Sequence, residues 1–212
     1  MSLTHLYILD LDGTLFKSDA LWDNFRELCA NKWGVSKERF DETYSSSRMD
    51  AGAYDIDRHL ESLDLSPETV RSEIELLMKS KNYVFEDVIP FFDAHKDAAC
   101  MILTQGVSWF QSLKANVVPI SKNVCPVTTT LEKKNGYILS HMQVADTHII
   151  FDGVPYASIT FVDNMANAFI LPEDSNPFLR QYRIRRNVVD DRHAEIMTLT
   201  GIPEVTTLLN IP

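Results

Sequence analysis

Three short runs of this chain are apolar without alternation. Leu6 to Leu11 leads into Asp12, Gly13 and Thr14; Ala98 to Leu103 leads into Thr104, Gln105 and Gly106; Ser158 to Val162 leads into Asp163 and Asn164. A short apolar run cut off by a turn signal predicts a strand buried on both faces, as in a parallel sheet. Each predicted strand stops at a polar or acidic group. In open parallel sheets ligands gather beyond the carboxyl ends of the strands, so Asp10, Asp12, Thr104 and Asp163 are expected along one edge.

Between the first two runs the period changes from strand to helix. Leu21, Phe25, Leu28 and Cys29 recur at helical spacing, Ser36 can cap a second helix, and Tyr54 to Leu63 forms a third. Ser66 followed by Pro67 predicts a fourth start, with an apolar stripe at Val70, Ile74, Leu76 and Leu77. A crossover between parallel strands needs only a dozen or so residues. The excess predicts a helical bundle of its own, seated over the strand ends.

Further along, Val107 to Lys114 predicts a helix, followed by a weaker strand near Val117 or Val124. Thr129 and Glu132 have capping-box spacing, which predicts a helix from about Thr130. Lys133 and Lys134 fall in its first turns, where cations gain nothing from the helix dipole, so an anion is expected nearby. His141 and His148 fall seven apart on this predicted helix, without a third ligand at metal spacing. Residues 179–212 read as an arginine-rich strand with a helical or irregular end. Arg183 and Arg185 share one strand face, and the cluster from Arg180 to Arg186 reads as a solvated edge, or as a partner for the acidic insert or a second phosphate.

Composition narrows the picture. The chain has 212 residues, 45% of them hydrophobic, enough for one large domain or a core with a modest second module. Its net charge is −10, and residues 16–88 hold 16 acidic against 10 basic side chains. Nothing global therefore recruits nucleic acid or an anionic membrane, and no apolar stretch approaches the roughly 18 residues a membrane span requires. Cys29, Cys100 and Cys125 lack metal-ligand spacing and fit a reduced, cytoplasmic setting. Trp22, Trp33 and Trp109 read as core or interface residues.

The strongest chemical signal is Asp10-Leu11-Asp12-Gly13-Thr14. Carboxylates at i and i+2 on an extended strand point the same way, and Gly13 lets the chain turn so that both face one small ligand. The plain alternative is a turn in which both aspartates cap backbone amides. At about 4 Å and an effective dielectric near 20, two such charges repel by roughly 4 kcal/mol. A phosphate dianion adds to this, so a divalent cation is expected, and Mg2+ suits carboxylate, carbonyl and water ligands. Asp163 also reads as a helix N-cap for Met165 onward.

These residues together resemble the four motifs of haloacid dehalogenase-like phosphatases. LDLDGTL at Leu9 to Leu15 is similar to the first motif, Thr104 in MILTQG to the second, Lys134 (or its neighbour Lys133) to the third, and Asp163 in ITFVDN to the fourth. The order is the family's, and the resemblance spans most of residues 6–170. It implies Asp10 as a nucleophile forming an aspartyl-phosphate, with Asp12 as general acid and base. It further implies Thr104, Gln105 and Lys134 as the phosphate-binding set, and Mg2+ held by Asp10, Asp163 and the backbone of Asp12.

The implied architecture is α/β: a doubly wound, Rossmann-like parallel sheet from residues 1–16 and 87–212, with a helical cap at 17–86. The implied activity is hydrolysis of a small phosphorylated metabolite. The same motifs also serve phosphomutases, whereas a dehalogenase does not need an acid at Asp12. One departure stands out. The family often carries a second acid in the fourth motif, where this chain has Asn164, Asn167 and Ala168. Asparagine can ligate through its carbonyl oxygen but adds no charge, which leaves open a non-catalytic binding or regulatory protein that keeps the fold.

Overall fold

The computed structural model describes residues 3–49, 53–120, 125–171, 174, 176–186 and 201–212. Its main sheet is built from β1 (His5–Leu9), β2 (Ala99–Gln105), β3 (Val127–Thr130), β7 (Ser158–Asp163), β8 (Leu179–Ile184) and β9 (Glu204–Val205). The strand order is β3-β2-β1-β7-β8-β9, and every neighbouring pair is parallel. This is a doubly wound sheet whose order reverses between β1 and β7, the topological switch point where such folds bind ligands.

The apolar runs are unbroken because both sheet faces are covered. Tyr7, Leu9, Ile102 and Val162 point into one hydrophobic cluster, and Leu6, Ile8, Met101, Leu103, Ile159 and Phe161 into another. On the first face pack α5 (Val88–Ala94) and α6 (Ser108–Val117); on the second, α7 (Lys134–His141) contributes Ile138. The strands run close to expectation, though β1 ends at Leu9 and Leu11 belongs to the turn that follows.

Between β1 and β2 lie α1 (Ser18–Trp33), α2 (Lys37–Ser46), α3 (Ile56–Ser62) and α4 (Pro67–Ser80). The Ser36 side chain accepts from the Arg39 amide at 3.2 Å, and Asp55 caps α3 through the Arg58 amide at 3.1 Å. The α4 stripe is Val70, Ile74 and Met78, whereas Leu76 is 62% exposed. Leu76 lies two residues from Ile74, on the opposite side of a 3.6-residue helix, so it cannot share the stripe. The insert's buried Phe25, Phe40, Leu60 and Ile74 belong to the same continuous cluster as Leu9 and Phe110. Its two connections are hydrogen-bonded to each other, Lys17 N to Tyr83 O at 2.6 Å and Phe85 N to Leu15 O at 3.2 Å.

Several expectations fail after β2. Val117 ends α6, the strand lies at Val127–Thr130, and Val124 falls outside the described residues. Thr130 closes β3 and α7 begins only at Lys134. The β-branched run Val127 to Thr130 pairs along β2, and this tertiary pairing overrides the local capping-box signal. His141 ends α7, and His148 precedes β5, in an antiparallel meander of β4 (Met142–Val144), β5 (Ile149–Phe151) and β6 (Val154–Tyr156). Asp152 and Gly153 (φ 51° and 77°) form its tight turn, an Asp-Gly hairpin signal overlooked in the helical reading.

The arginine strand is not a solvated edge either, because β9 covers it. Arg183 is buried and pairs with Glu204 at 2.7 Å, and Arg185 reaches the same carboxylate at 3.2 Å. Residues 187–200 of the tail lie outside the described set. Among the described residues no helix is long and apolar enough to cross a membrane.

Candidate active site

The site is built on the turn that follows β1. The Asp10 amide continues the sheet ladder to Val162 O at 2.9 Å, after which the chain folds sharply, with Phe16 N reaching back to Leu11 O at 2.8 Å. Gly13 makes this turn with φ 75°, and a Cβ there would sit 2.3 Å from Nδ2 of Asn164. A larger residue would meet left-handed backbone strain and would also have to displace the Asn164 side chain.

Asp10, Lys134 and Asp163 form one buried cluster. The Lys134 ammonium is ion-paired to Asp10 Oδ1 and lies 2.7 Å from Asp163 Oδ2, and all three side chains are nearly inaccessible. Thr14 Oγ1 donates to Asp10 Oδ2 at 3.1 Å. Asp163 Oδ1 accepts the Met165 amide at 2.7 Å, but the expected helix does not follow: only the 3-10 turn Ala166–Ala168 does, with Met165 at its N-cap position, so the contact closes a local turn. Of the two candidate lysines, Lys134 is the one at the cluster; Lys133 is exposed and caps α7. The anion expected near that helix start is the Asp10–Asp163 pair.

Asp12 is half-buried and turns to a different partner. Its carboxylate accepts from Lys114 Nζ, 2.6 Å to Oδ1, and from Ser18 Oγ at 2.5 Å. Thr104 Oγ1 donates to Gln111 Oε1 at 3.1 Å, and Gln111 Nε2 donates to the Gln105 carbonyl at 3.0 Å. The Gln105 amide points to the Leu131 carbonyl at 3.4 Å. Lys114, Gln111, Ser18 and Thr14 were missed by the motif reading. For Lys114 and Gln111 a signal existed: both fall on the inward face of α6 that carries buried Phe110, Leu113 and Ala115. Polar groups on an apolar stripe mark a satisfied site or a functional one.

The charges are strongly coupled. Burial, and next the Asp163 carboxylate, push the Asp10 carboxyl up to about 7, against the opposing pull of Lys134. Burial opposes ionisation of Asp12 too, but Lys114, Ser18 and Gln111 together hold its carboxyl below the usual range. Burial lowers the Lys114 ammonium despite Asp12, whereas for Lys134 the two carboxylates overcome burial and raise it.

Among the described residues no three His, Cys, Asp or Glu side chains are grouped so as to hold a metal ion by themselves. The available donors are the Asp10 and Asp163 carboxylates, backbone carbonyls of the turn, and Asn164 Oδ1, which is buried without a hydrogen-bond partner. This all-oxygen set, short of ligands and including an orphaned amide oxygen, fits a hard cation such as Mg2+ that retains several waters. Asn167 is exposed on the turn of 3-10 helix at Ala166–Ala168.

No protein-family model and no curated protein matches the sequence. Solved structures do. A protein of Burkholderia xenovorans described as a haloacid dehalogenase-like hydrolase is similar with a TM-score of 0.69 at 15% identity, over 97% of this chain and 96% of that one. The HAD-hydrolase YfnB of Bacillus subtilis, bound to magnesium, gives 0.62 at 10% identity over 99% and 97%. A Thermotoga maritima protein described as a beta-phosphoglucomutase gives 0.60 at 11% over 96% and 94%. The chain has the haloacid dehalogenase-like fold, in which an α/β sheet carries helices inserted after its first strand.

Proposed function

We propose that the chain is a phosphatase of the haloacid dehalogenase-like type, hydrolysing a small phosphorylated metabolite through an aspartyl-phosphate on Asp10. The observation that carries this reading is the buried Asp10–Lys134–Asp163 cluster at the switch point between β1 and β7, with Asp12 two residues on. A structural ion pair has no need of two carboxylates around one lysine beneath a third, half-exposed acid.

In this reading an Asp10 carboxylate oxygen attacks phosphorus and the ester bond to the leaving oxygen breaks. Asp12, on the more open side, gives that oxygen its proton and then takes one from the water that attacks the acyl phosphate. Lys134 offsets the charge that Asp10 and the phosphoryl oxygens bring together, and Thr104 with the Gln105 backbone lines the phosphoryl site. Asp10, Asp163, the Asp12 carbonyl and Asn164 would hold Mg2+, which when bound supplies positive charge to phosphoryl oxygens. The helices at 17–86 act as the cap that excludes bulk water and selects the substrate.

The test is release of inorganic phosphate from p-nitrophenyl phosphate and from a panel of phosphorylated metabolites, with and without Mg2+. Phosphate release by wild type that is lost in Asp10→Asn supports the reading; equal release by a folded Asp10→Asn protein overturns it. The neutral Asn164 favours a second reading, a binding protein that retains the fold. Tight Mg2+-dependent binding of a phosphorylated ligand without turnover would select it.

A further inference from the structure

Resting on the phosphatase reading, we propose that Lys114 is a positioning residue: it clamps the ionised Asp12 carboxylate in the orientation needed to take a proton from the water that attacks the aspartyl-phosphate. Lys114 is buried on α6, and its ammonium touches both oxygens of one acid, Asp12. Its Nζ also lies 4.6 Å from the ring of Phe110, one turn earlier on the same helix. From the other side Ser18, the first residue of α1, donates to Asp12 Oδ1. The acid is thus gripped between the core and the insert while remaining half-exposed.

Stability alone does not account for this lysine. A buried ion pair is often no better than apolar side chains of the same volume, and the rest of the α6 inner face is largely apolar. The helix has a second polar member, Gln111, one turn before Lys114, which holds Thr104 Oγ1 and the Gln105 carbonyl. A Cβ at Gly106 would meet Gln111 Nε2 at 2.7 Å, so the turn into α6 is fitted to that side chain. One helix, entered directly from the second predicted motif, therefore fixes the groups on both sides of the reacting phosphoryl: Thr104 through Gln111, and Asp12 through Lys114. Held by Lys114 and Ser18, Asp12 is kept apart from the Asp10–Asp163 cluster, with about a third of its side chain still exposed.

The experiment follows p-nitrophenyl phosphate, whose leaving group needs little protonation, in wild type and Lys114→Met, with rapid mixing to separate release of p-nitrophenolate from release of inorganic phosphate. Proton transfer to a positioned base contributes about 10²- to 10⁴-fold, so the variant should release p-nitrophenolate in a stoichiometric burst and then turn over at least ~10-fold more slowly than wild type. In an Asp12→Asn background the Lys114→Met change should have no further effect on p-nitrophenyl phosphate. If Lys114→Met does not fold, Lys114→Gln, which keeps a donor of similar reach, carries the same comparison. A slower turnover without a burst, a rise in KM alone, or additive losses with Asp12→Asn would overturn the assignment and make Lys114 a phosphate-binding or purely structural side chain. Wild type inactive on this ester instead overturns the phosphatase reading itself, a result distinct from an active enzyme indifferent to Lys114.

Discussion

At the strand ends five charged side chains, Asp10, Asp12, Lys114, Lys134 and Asp163, converge in a site that is largely closed to solvent. Within the helical insert a single histidine, His59, is fully buried among Trp22, Phe40, Tyr44 and Tyr54. Both regions remove titratable groups from water, by opposite means. His59 Nε2 faces the Phe40 carbonyl at 3.1 Å, which can only accept, so that nitrogen carries the proton and Nδ1 accepts from the Tyr54 hydroxyl at 2.6 Å. Every polar atom is then satisfied without charge, and burial lowers the imidazole to about 4. The strand ends keep their charges and leave them imperfectly balanced, three carboxylates against two ammonium groups. A neutral, satisfied cluster stabilises the insert; an unbalanced one is suited to receive a cation and a phosphate.

The largest expected effect lies in the charged region. Asp10→Asn should reduce turnover by more than about 10³-fold while leaving far-ultraviolet circular dichroism unchanged, since it removes the proposed nucleophile and keeps the shape. Near-normal turnover in a folded variant would remove the chemistry from this side of the comparison.

Next comes Lys134→Met, which strands two buried carboxylates. Breaking a buried pair in this way costs about 3–5 kcal/mol, and the loss should be larger at pH 8 than at pH 5, where the carboxylates can take up protons. Added Mg2+ should restore part of the melting temperature. A variant as stable as wild type at pH 8 would mean that the cluster is less buried than described.

The two regions should also show opposite pH dependence. Asp10 has a raised folded pKa, so without metal its contribution to stability is full below about pH 4 and is lost as pH rises through about 7. His59 has a lowered one, so its contribution is present above about pH 6.5 and is lost as pH falls toward about 4. Denaturant unfolding across this range should find that Asp10→Asn removes the first slope and His59→Phe the second. The same slope in both variants would sink the contrast.

The smallest effect separates two asparagines. Asn164→Ala should raise the Mg2+ concentration needed for half-maximal activity by about 10-fold, as expected when a supporting ligand is lost. Asn167→Ala, on the exposed turn, should leave it unchanged. Equal shifts would place the metal away from Gly13 and Asn164.

Much of the strand-end region was legible in the chain. The unalternating run before Asp10 required a strand covered on both faces, and Asp-x-Asp-Gly-Thr at its end required two acids on one side of a sharp turn. Lys134 stood out as a cation at the wrong end of a helix, and the paired Asp10 and Asp163 explain it. The failures came where local and long-range signals compete. Thr129 and Glu132 carry a capping pattern, yet Thr130 pairs with Gln105 across the sheet. The arginines after Leu179 look like an exposed edge until β9, twenty residues later, supplies Glu204.

The sequence by itself determined the periodicities, and with them the buried strands, the helical insert and the acids at the strand ends. These follow from neighbours one to four residues apart, whose side-chain directions are set by backbone geometry. Tertiary structure alone decided which cation meets which acid. Lys114 and Asp12 are separated by 102 positions and Lys134 and Asp10 by 124. No local rule links residues so far apart; their contact exists because β1, β2 and β7 lie side by side and bring the last turn of α6 and the start of α7 to the same edge. The arrangement that makes Asp12 a held acid rather than a free one is therefore a property of the packed sheet.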